Sequence, residues 1–256
     1  MRKPLRSALV VGFTLALWAA GIAAAEKPVI VEAGGLLPIV NGGFAPKALP
    51  KKGKPAPVAL HLSAKADNAD ASVPLALREM SLELDRHITA DAEGMAICPL
   101  GNVESPPPEE RCRSALLGKG LMNVLVEFPE QAPFIVGSKL FAFNAGGKRG
   151  RLKILLRAYL PAPVSAAVLI PITVTKIDRG RFGTKWLFAF PKIAGGYGAI
   201  TEFSLDIGRR FHYLGEERSY LLGRCPDGHL DGRGVSVFAD GLTEAGSFVR
   251  SCTPKP

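Results

Sequence analysis

Two acids and a histidine alternate along residues 75–89, the longest run of alternating polar and apolar residues in the first half of the chain. Glu83, Asp85 and His87 share one face of the predicted strand, and leucines occupy the other face. Side chains two residues apart on a strand project side by side, so this face could carry acid–base chemistry or bind a metal ion. The alternative is a sheet face that is polar because it meets water. We expect the exposed face, and Glu83, Asp85 and His87 stay as catalytic candidates.

A second chemical hypothesis is hydrolysis of a polysaccharide by two carboxylates held at a fixed separation. Five acids are candidates for such a pair: Glu83, Asp85, Asp206, Glu216 and Glu217. The sequence does not place any two of them across a cleft. It also lacks the Gly-x-Ser-x-Gly, His-Glu-x-x-His and P-loop motifs. Residues 227–232 hold two aspartates in a glycine-rich stretch, but without the alternating ligands of a calcium loop they indicate a hairpin turn.

Residues 1–25 have the parts of a secretory leader, with Arg2, Lys3 and Arg6 before an apolar stretch that ends in small residues. We expect cleavage before Glu26. An uncleaved membrane anchor is the alternative, but the apolar stretch is short for a span of about 20 residues. The chain is therefore expected to be secreted or periplasmic, with no membrane span after cleavage.

Four cysteines follow the leader: Cys98, Cys112, Cys225 and Cys252. An even number in an oxidising compartment favours two disulfides. Of the three pairings, we prefer Cys98–Cys112 with Cys225–Cys252 because both are local. A zinc site is disfavoured, since there is no Cys-x-x-Cys motif and the histidines do not fall at ligand spacing from the cysteines. No metal and no cofactor are expected.

The formal net charge of +9 falls by three, to +6, if the leader is removed. Two clusters of cations stand out: Lys47, Lys51, Lys52 and Lys54, and Lys148, Arg149, Arg151 and Lys153. Such clusters suit an anionic surface or polymer, and solvated loops are the alternative that we favour. Neither cluster has the interleaved aromatic residues that stack on bases, which disfavours nucleic acid.

The rest of the pattern predicts one all-β domain. Residues 26–57 are rich in proline and glycine and are expected to form an irregular N-terminal arm. Residues 58–253 contain alternating segments separated by turn residues, and they predict a two-sheet antiparallel β-sandwich, with a jelly roll as one form. One short helix is expected within residues 105–118. Trp186 shares its strand face with two phenylalanines, which indicates core rather than a sugar platform.

These features favour a non-catalytic extracytoplasmic module that binds a partner or has a structural role. Loops at the ends of a rigid sheet would make the recognition surface. The partner itself is not identified, although a protein or an anionic surface would fit the charge. A secreted hydrolase acting on cell-envelope or polymeric carbohydrate is the alternative. An outer-membrane barrel is the third class, and the few aromatic residues, the prolines within strands and the expected disulfides argue against it.

Overall fold

The computed structural model describes residues 29–30, 36–68, 75–148 and 150–256, most of which lie in strands. The predicted leader lies outside the described residues. The strands are β1 (Val29–Ile30), β2 (Leu36–Ala45), β3 (Ala48–Pro50), β4 (Ala56–Pro57), β5 (Ala59–Asn68), β6 (Leu77–Asp85), β7 (Ile88–Ala90), β8 (Leu116–Val126), β9 (Phe134–Lys148), β10 (Arg151–Leu160), β11 (Ala166–Arg179), β12 (Phe182–Ala189), β13 (Gly198–Ile207), β14 (Arg210–Tyr213), β15 (Glu216–Ser219), β16 (Leu221–Gly223), β17 (His229–Phe238), β18 (Thr243–Ser251) and β19 (Thr253–Lys255). Two short helices, α1 (Leu100–Glu104) and α2 (Pro108–Arg111), lie between β7 and β8.

Eleven strands form one antiparallel sheet that curls into a nearly closed barrel, in the order β2-β5-β13-β8-β9-β10-β11-β12-β6-β17-β18. Strands β8 to β12 follow one another along the chain, whereas β5 and β6 pair with strands from much later in the sequence. The mostly-β prediction is confirmed, but the main sheet is one barrel and not a clear two-sheet sandwich. Alternation shows which side chains face the core. It does not separate two packed sheets from one closed sheet, because both bury one face.

The barrel interior is a packed apolar core. Leu84 of β6, Ile172 of β11, and Trp186 and Phe188 of β12 face inward and are almost fully buried. The residues opposite one another in the β11–β12 and β12–β6 registers share this inward face. The period-2 pattern therefore predicted the core correctly, including the core position of Trp186.

Strands β2 and β18, the first and last of the barrel, run in the same direction, and the line between them is termed the seam. In the described part of the chain the two strands share no backbone ladder. Instead, Arg250 of β18 donates from Nε to the carbonyl of Gly42 and from Nη2 to Oδ1 of Asn41 (3.2 Å). Beyond Arg250, β3 and β19 pair in parallel, with Ala48 opposite Thr253. Backbone hydrogen bonds between β3 and β19 therefore close one end of the seam, and the Arg250 side chain bridges the seam next to them.

The end of the barrel where β6 ends and the β9–β10 and β11–β12 hairpins turn is termed the upper end, and the opposite end is the lower end. At the upper end, β4, β16 and β7 form a small three-stranded sheet whose Leu221 and Ile88 extend the core. The Cys225–Cys252 disulfide, with Cα atoms 6.0 Å apart, ties the chain just after β16 to the junction of β18 and β19. It thus reinforces the closed end of the seam.

The helices pack on the outer face of β9 and β10, where Val103 of α1 joins a second apolar cluster with Phe143 and Leu155. The Cys98–Cys112 disulfide, with Cα atoms 5.5 Å apart, encloses both helices. Both disulfides are therefore the local pairs preferred from the sequence. The single helix expected within 105–118 is wrong in extent, because α2 has four residues and Leu116 already pairs with Phe143 in the sheet. Strand pairing overrides the local helical preference.

Residues 36–57 are also more regular than the predicted arm, since they contribute β2, β3 and β4. Strand β2 pairs with β5 along its whole length, from Leu36 opposite Asn68 to Ala45 opposite Ala59. Gly42 and Gly43, which follow Asn41 in a sequence typical of a turn, lie inside β2, where a continuous partner strand holds them extended. Local composition predicts a turn there, and tertiary pairing overrides it.

Candidate functional site

The upper end of the barrel contains a cleft of about 980 Å³, termed the upper cleft. Its walls are the β9–β10 hairpin, the β11–β12 hairpin, β7 and the segment 91–97 that follows β7. A volume of this size is in the range of small-molecule binding sites, roughly 300–1,000 Å³. The site lies where the barrel interior meets solvent, beside the small sheet that covers the rest of this end.

Along β6, β11 and β12, the inward-facing side chains change from apolar to polar where the strands reach the cleft. Arg86 follows the inward leucines of β6, and Lys176 follows the inward valine and isoleucine residues of β11. Thr184 of β12 lies opposite Lys176 in the register. The side chain of Thr184 is buried, and its Oγ1 has no hydrogen-bond partner among the described residues.

Apolar side chains line parts of the cleft on several of its walls. They are Met95, Ile97, Leu152, Ile177 and Phe182, and Ile97 is 59% exposed although its side chain is entirely hydrocarbon. Exposed aliphatic surface next to a concave site is typical of a ligand-binding site. The cleft therefore offers apolar surface to a bound molecule.

The wall segment 91–97 is fixed from the side of β9. The buried Asn144 side chain donates from Nδ2 to the carbonyl of Ala96 (2.9 Å), and its Oδ1 accepts from the amide of Gly146 (3.1 Å). The amide of Cys98 donates to the backbone carbonyl of Asn144 (2.9 Å), and Cys98 is itself held by the disulfide to Cys112. The sequence predicted this disulfide only as a structural bond, whereas it also anchors a wall of the cleft.

The same segment is held from the other side by the β14–β15 hairpin. Arg218 forms ion pairs with Asp91 (3.8 Å) and Glu93 (3.4 Å), and its guanidinium lies 5.2 Å from the centre of the Tyr213 ring. The Tyr213 ring occupies the space where a side chain at Gly94 would point. These contacts make the cleft wall a preformed surface and leave Asp91 and Glu93 partly neutralised.

The cleft, together with Arg218 beside it, carries a small surplus of positive charge. Arg86, Lys148 and Lys176 line it and are exposed, and none of them forms an ion pair within the described ranges. Asp178 is an acid of the cleft that likewise has no ion pair there. The lining itself has three cations and three acids, and Arg218 beside it brings the local formal charge to +1. The three cations without an ion pair are therefore the groups that would attract an anion.

Glu83 and Asp85, two of the sequence candidates, lie outside the cleft on the outer face of β6. They share one face as the alternation predicts, but both are buried, so the expectation of an exposed face is wrong. Glu83 accepts a hydrogen bond from Nη2 of Arg233 (2.5 Å) and lies 3.6 Å from Nη1 of Arg179. Arginine side chains from neighbouring strands cover the face, which the alternation along one strand does not reveal.

Asp85 is the centre of a second group of contacts. Its Oδ1 accepts a hydrogen bond from the backbone amide of His87 (2.8 Å) and lies 2.7 Å from Nδ1 of the same residue. Its Oδ2 accepts a hydrogen bond from the backbone amide of Asp231 (3.2 Å). The side chain of Asp231 pairs with Arg181 at 3.0 Å. Every carboxylate of this group has a local partner, so the arrangement fixes the ends of β6, β12 and β17.

The other acids singled out from the sequence lie on the surface. Asp206 pairs with His61 (2.7 Å), and Glu217 pairs with Arg210 (3.3 Å). Among the described residues, no cluster of three or more His, Cys, Asp or Glu side chains has the geometry to hold a metal ion. One feature singled out from the sequence does lie at the cleft: the second cluster of cations contributes Lys148 to the lining. Arg86 and Lys176 lacked such a signal because they adjoin apolar strands.

No protein-family model, curated protein or solved structure is significantly similar to the chain. Within the described ranges, none of the helices has the length and apolar character needed to cross a membrane.

Proposed function

We propose that this protein is a secreted or periplasmic, non-catalytic binding protein whose upper cleft holds a small apolar molecule with an anionic group. The observation that carries the proposal is the combination, in one cleft of about 980 Å³, of apolar lining side chains with three cations that have no ion pair among the described residues. An alkyl or aromatic carboxylic acid has the matching chemistry. Its hydrocarbon part would lie against Ile97 and Leu152, and its carboxylate near Lys148 and Lys176.

The extracytoplasmic location is supported by the two disulfides, which persist in oxidising compartments. The non-catalytic role is supported by the state of the acids. Glycoside hydrolysis needs two carboxylates flanking the substrate bond. In the cleft, Asp91 and Glu93 pair with Arg218, which leaves Asp178 as a single acid without an ion pair in the described residues. A pair of free carboxylates, which the hydrolase alternative needs, is therefore not found in the described part of the cleft.

Octanoate is a suitable probe, and 1-octanol is its neutral counterpart. Isothermal titration calorimetry should show saturable binding of octanoate and much weaker binding of 1-octanol. Affinity should rise about fourfold for each added methylene from hexanoate to octanoate, because a buried methylene contributes about 0.8 kcal/mol. Raising the salt concentration should weaken binding, since exposed cations are screened.

The charge contribution is tested by a double variant, Lys148→Gln with Lys176→Gln. We expect about 2–30-fold weaker octanoate binding, from about 0.2–1 kcal/mol for each exposed ion pair. The matched control is Lys139→Gln with Lys192→Gln, which removes the same charge at exposed positions outside the cleft. Equal affinity in both double variants, or stronger binding of 1-octanol than of octanoate, would overturn the proposal.

A further inference from the structure

A second and smaller cavity, of about 80 Å³, lies inside the barrel along the seam, and it is termed the seam cavity. It exists because inward positions on three strands are glycine. Gly42 of β2, Gly234 of β17 and Gly246 of β18 all line it, and each lacks a side chain that would fill the space. In the registers, Gly234 lies opposite both Gly246 and Leu82, so the two glycines leave room over the leucine. The cavity is separate from the upper cleft and shares no lining residue with it.

The seam cavity contains one buried acid. Glu244 of β18 is 6% exposed and lines the cavity, and its Oε1 has no hydrogen-bond partner in the described part of the chain. Ser236 of β17 lies directly opposite Glu244 and lines the same space. Burial raises the pKa of the Glu244 carboxyl above its ordinary value. An isolated carboxylate in apolar surroundings is strongly disfavoured unless a cation or a hydrogen-bond donor reaches it.

The other buried acids of the barrel show what is missing at Glu244. Glu83 has Arg233, Asp85 has His87, and Asp231 has Arg181, as described above. The inward cation on the same strand, Arg250, is six residues away, about 20 Å along an extended strand. It is engaged at the carbonyl of Gly42 and lies over the ring of Phe248, 5.1 Å from its centre. No described side chain supplies the charge that Glu244 lacks.

We propose that the seam cavity binds a small primary alkylammonium ion, with Glu244 as its counter-ion and Ser236 as a second hydrogen-bond partner. The alkyl part would contact Leu62, Leu82 and Phe203, which form the apolar side of the cavity. The volume limits the ligand, because a cavity of about 150 Å³ accommodates benzene and this one has about half that size. A linear amine of three carbons is of the right order.

The cavity borders the seam. Asn41 of β2 and Ala245 and Ser247 of β18, at the edges of the two strands, also line it. The two strands share no backbone ladder within the described ranges, but β1 pairs with Ile39 and Val40 of β2 and contacts β18, so a ligand enters past β1.

The test uses n-propylammonium as the probe and 1-propanol as its neutral counterpart, with the disulfide-bonded protein labelled with ¹⁵N. A ligand of four heavy atoms binds at best at tens of micromolar, so the titration extends to roughly 50 mM. We expect saturable shifts of the Gly234 and Gly246 amides with propylammonium. The affinity for 1-propanol should be at least about tenfold weaker, because the neutral probe makes no charge-assisted hydrogen bond.

Two variants and one control separate the roles of charge and space. Glu244→Gln keeps the size of the side chain and should weaken propylammonium binding by about tenfold or more. Gly234→Ala should also weaken binding, because a Cβ there projects into the cavity with its nearest neighbour, the Ser81 carbonyl, 3.9 Å away. The control, Glu216→Gln, removes an exposed acid that lines neither cavity and should leave binding unchanged. Absence of saturable shifts at Gly234 and Gly246, or equal affinity in wild type and Glu244→Gln, would overturn the proposal.

Discussion

Removal of the Cys225–Cys252 disulfide should destabilise the barrel by more than any single surface substitution. The two cysteines are 27 positions apart, Cys225 is fully buried, and the bond lies beside the parallel β3–β19 pair that closes the seam. The chain-entropy relation for a loop of this length gives about 3.6 kcal/mol. For a chain of this size, each kcal/mol lowers the melting temperature by about 2–4 °C, so we expect a decrease of about 7–14 °C.

The perturbation is the double variant Cys225→Ala with Cys252→Ala, measured by calorimetry and by urea unfolding under non-reducing conditions. Amide hydrogen exchange adds a local readout. The amide of Thr253 donates to Lys47 and that of Lys51 donates to Lys255, and both should lose protection selectively. A loss below about 1 kcal/mol, with unchanged exchange at these two amides, would refute the assignment of this bond to barrel closure.

The other disulfide is the matched comparison. The Cys98–Cys112 loop spans 14 positions, for which the same relation gives about 3.0 kcal/mol. Its removal, by Cys98→Ala with Cys112→Ala, should expose the amide of Cys98, which donates to Asn144, and leave the closed end of the seam protected. Identical exchange patterns in the two double variants would contradict the separate roles of the disulfides.

Three single substitutions probe buried polar groups. Asp85→Ala should lower the free energy of unfolding, measured with urea, by about 2–4 kcal/mol, because it leaves the amides of His87 and Asp231 without an acceptor. A decrease under about 0.5 kcal/mol, on the order of a surface substitution, would contradict this. Tyr220→Phe should leave stability unchanged or raise it by up to about 1 kcal/mol. The Tyr220 hydroxyl is buried without a hydrogen-bond partner in the described residues, and burial raises its pKa. A clear loss of stability would contradict this and indicate a hydrogen-bond partner. Glu244 binds its proton more tightly when folded, so its contribution to stability should fall as the pH rises above about 4.3. The stability advantage of Glu244→Gln over wild type should therefore grow from about pH 4 to about pH 7, and a constant difference in melting temperature would oppose this.

The parts of the fold that the sequence predicted are those set by local pattern. Alternation located the inward rows of β6 and β12, and the short spacing of the cysteines indicated the correct pairs. The closure into a barrel was not predictable in this way. His61 lies opposite Asp206, which is 145 positions away, and a strand's own sequence does not specify which distant strand becomes its neighbour.

In the candidate site, too, the sequence predicted what local pattern determines and missed what tertiary structure determines. The sequence placed Glu83, Asp85 and His87 on one face. In the structure Glu83 and Asp85 share a face of β6, and His87 lies in the turn that follows and contacts Asp85. Both acids are buried, and Arg233 and Arg179 reach Glu83 from other strands. The upper cleft depends on where the inward rows end and which hairpins surround them. That information is tertiary, so the cleft could be recognised only after the barrel was assembled.

The central claim, that the upper cleft is the binding site for an apolar anion, is tested most directly by mapping octanoate onto the protein. Amide shifts in ¹H–¹⁵N spectra, recorded during an octanoate titration of the disulfide-bonded protein, report where the probe lies. The account predicts shifts concentrated in residues 89–97, 144–148, 150–152 and 174–184, which form the cleft walls. Shifts concentrated in the lower-end loops, residues 127–133 and 190–197, or no saturable shift in any of these segments, would contradict it.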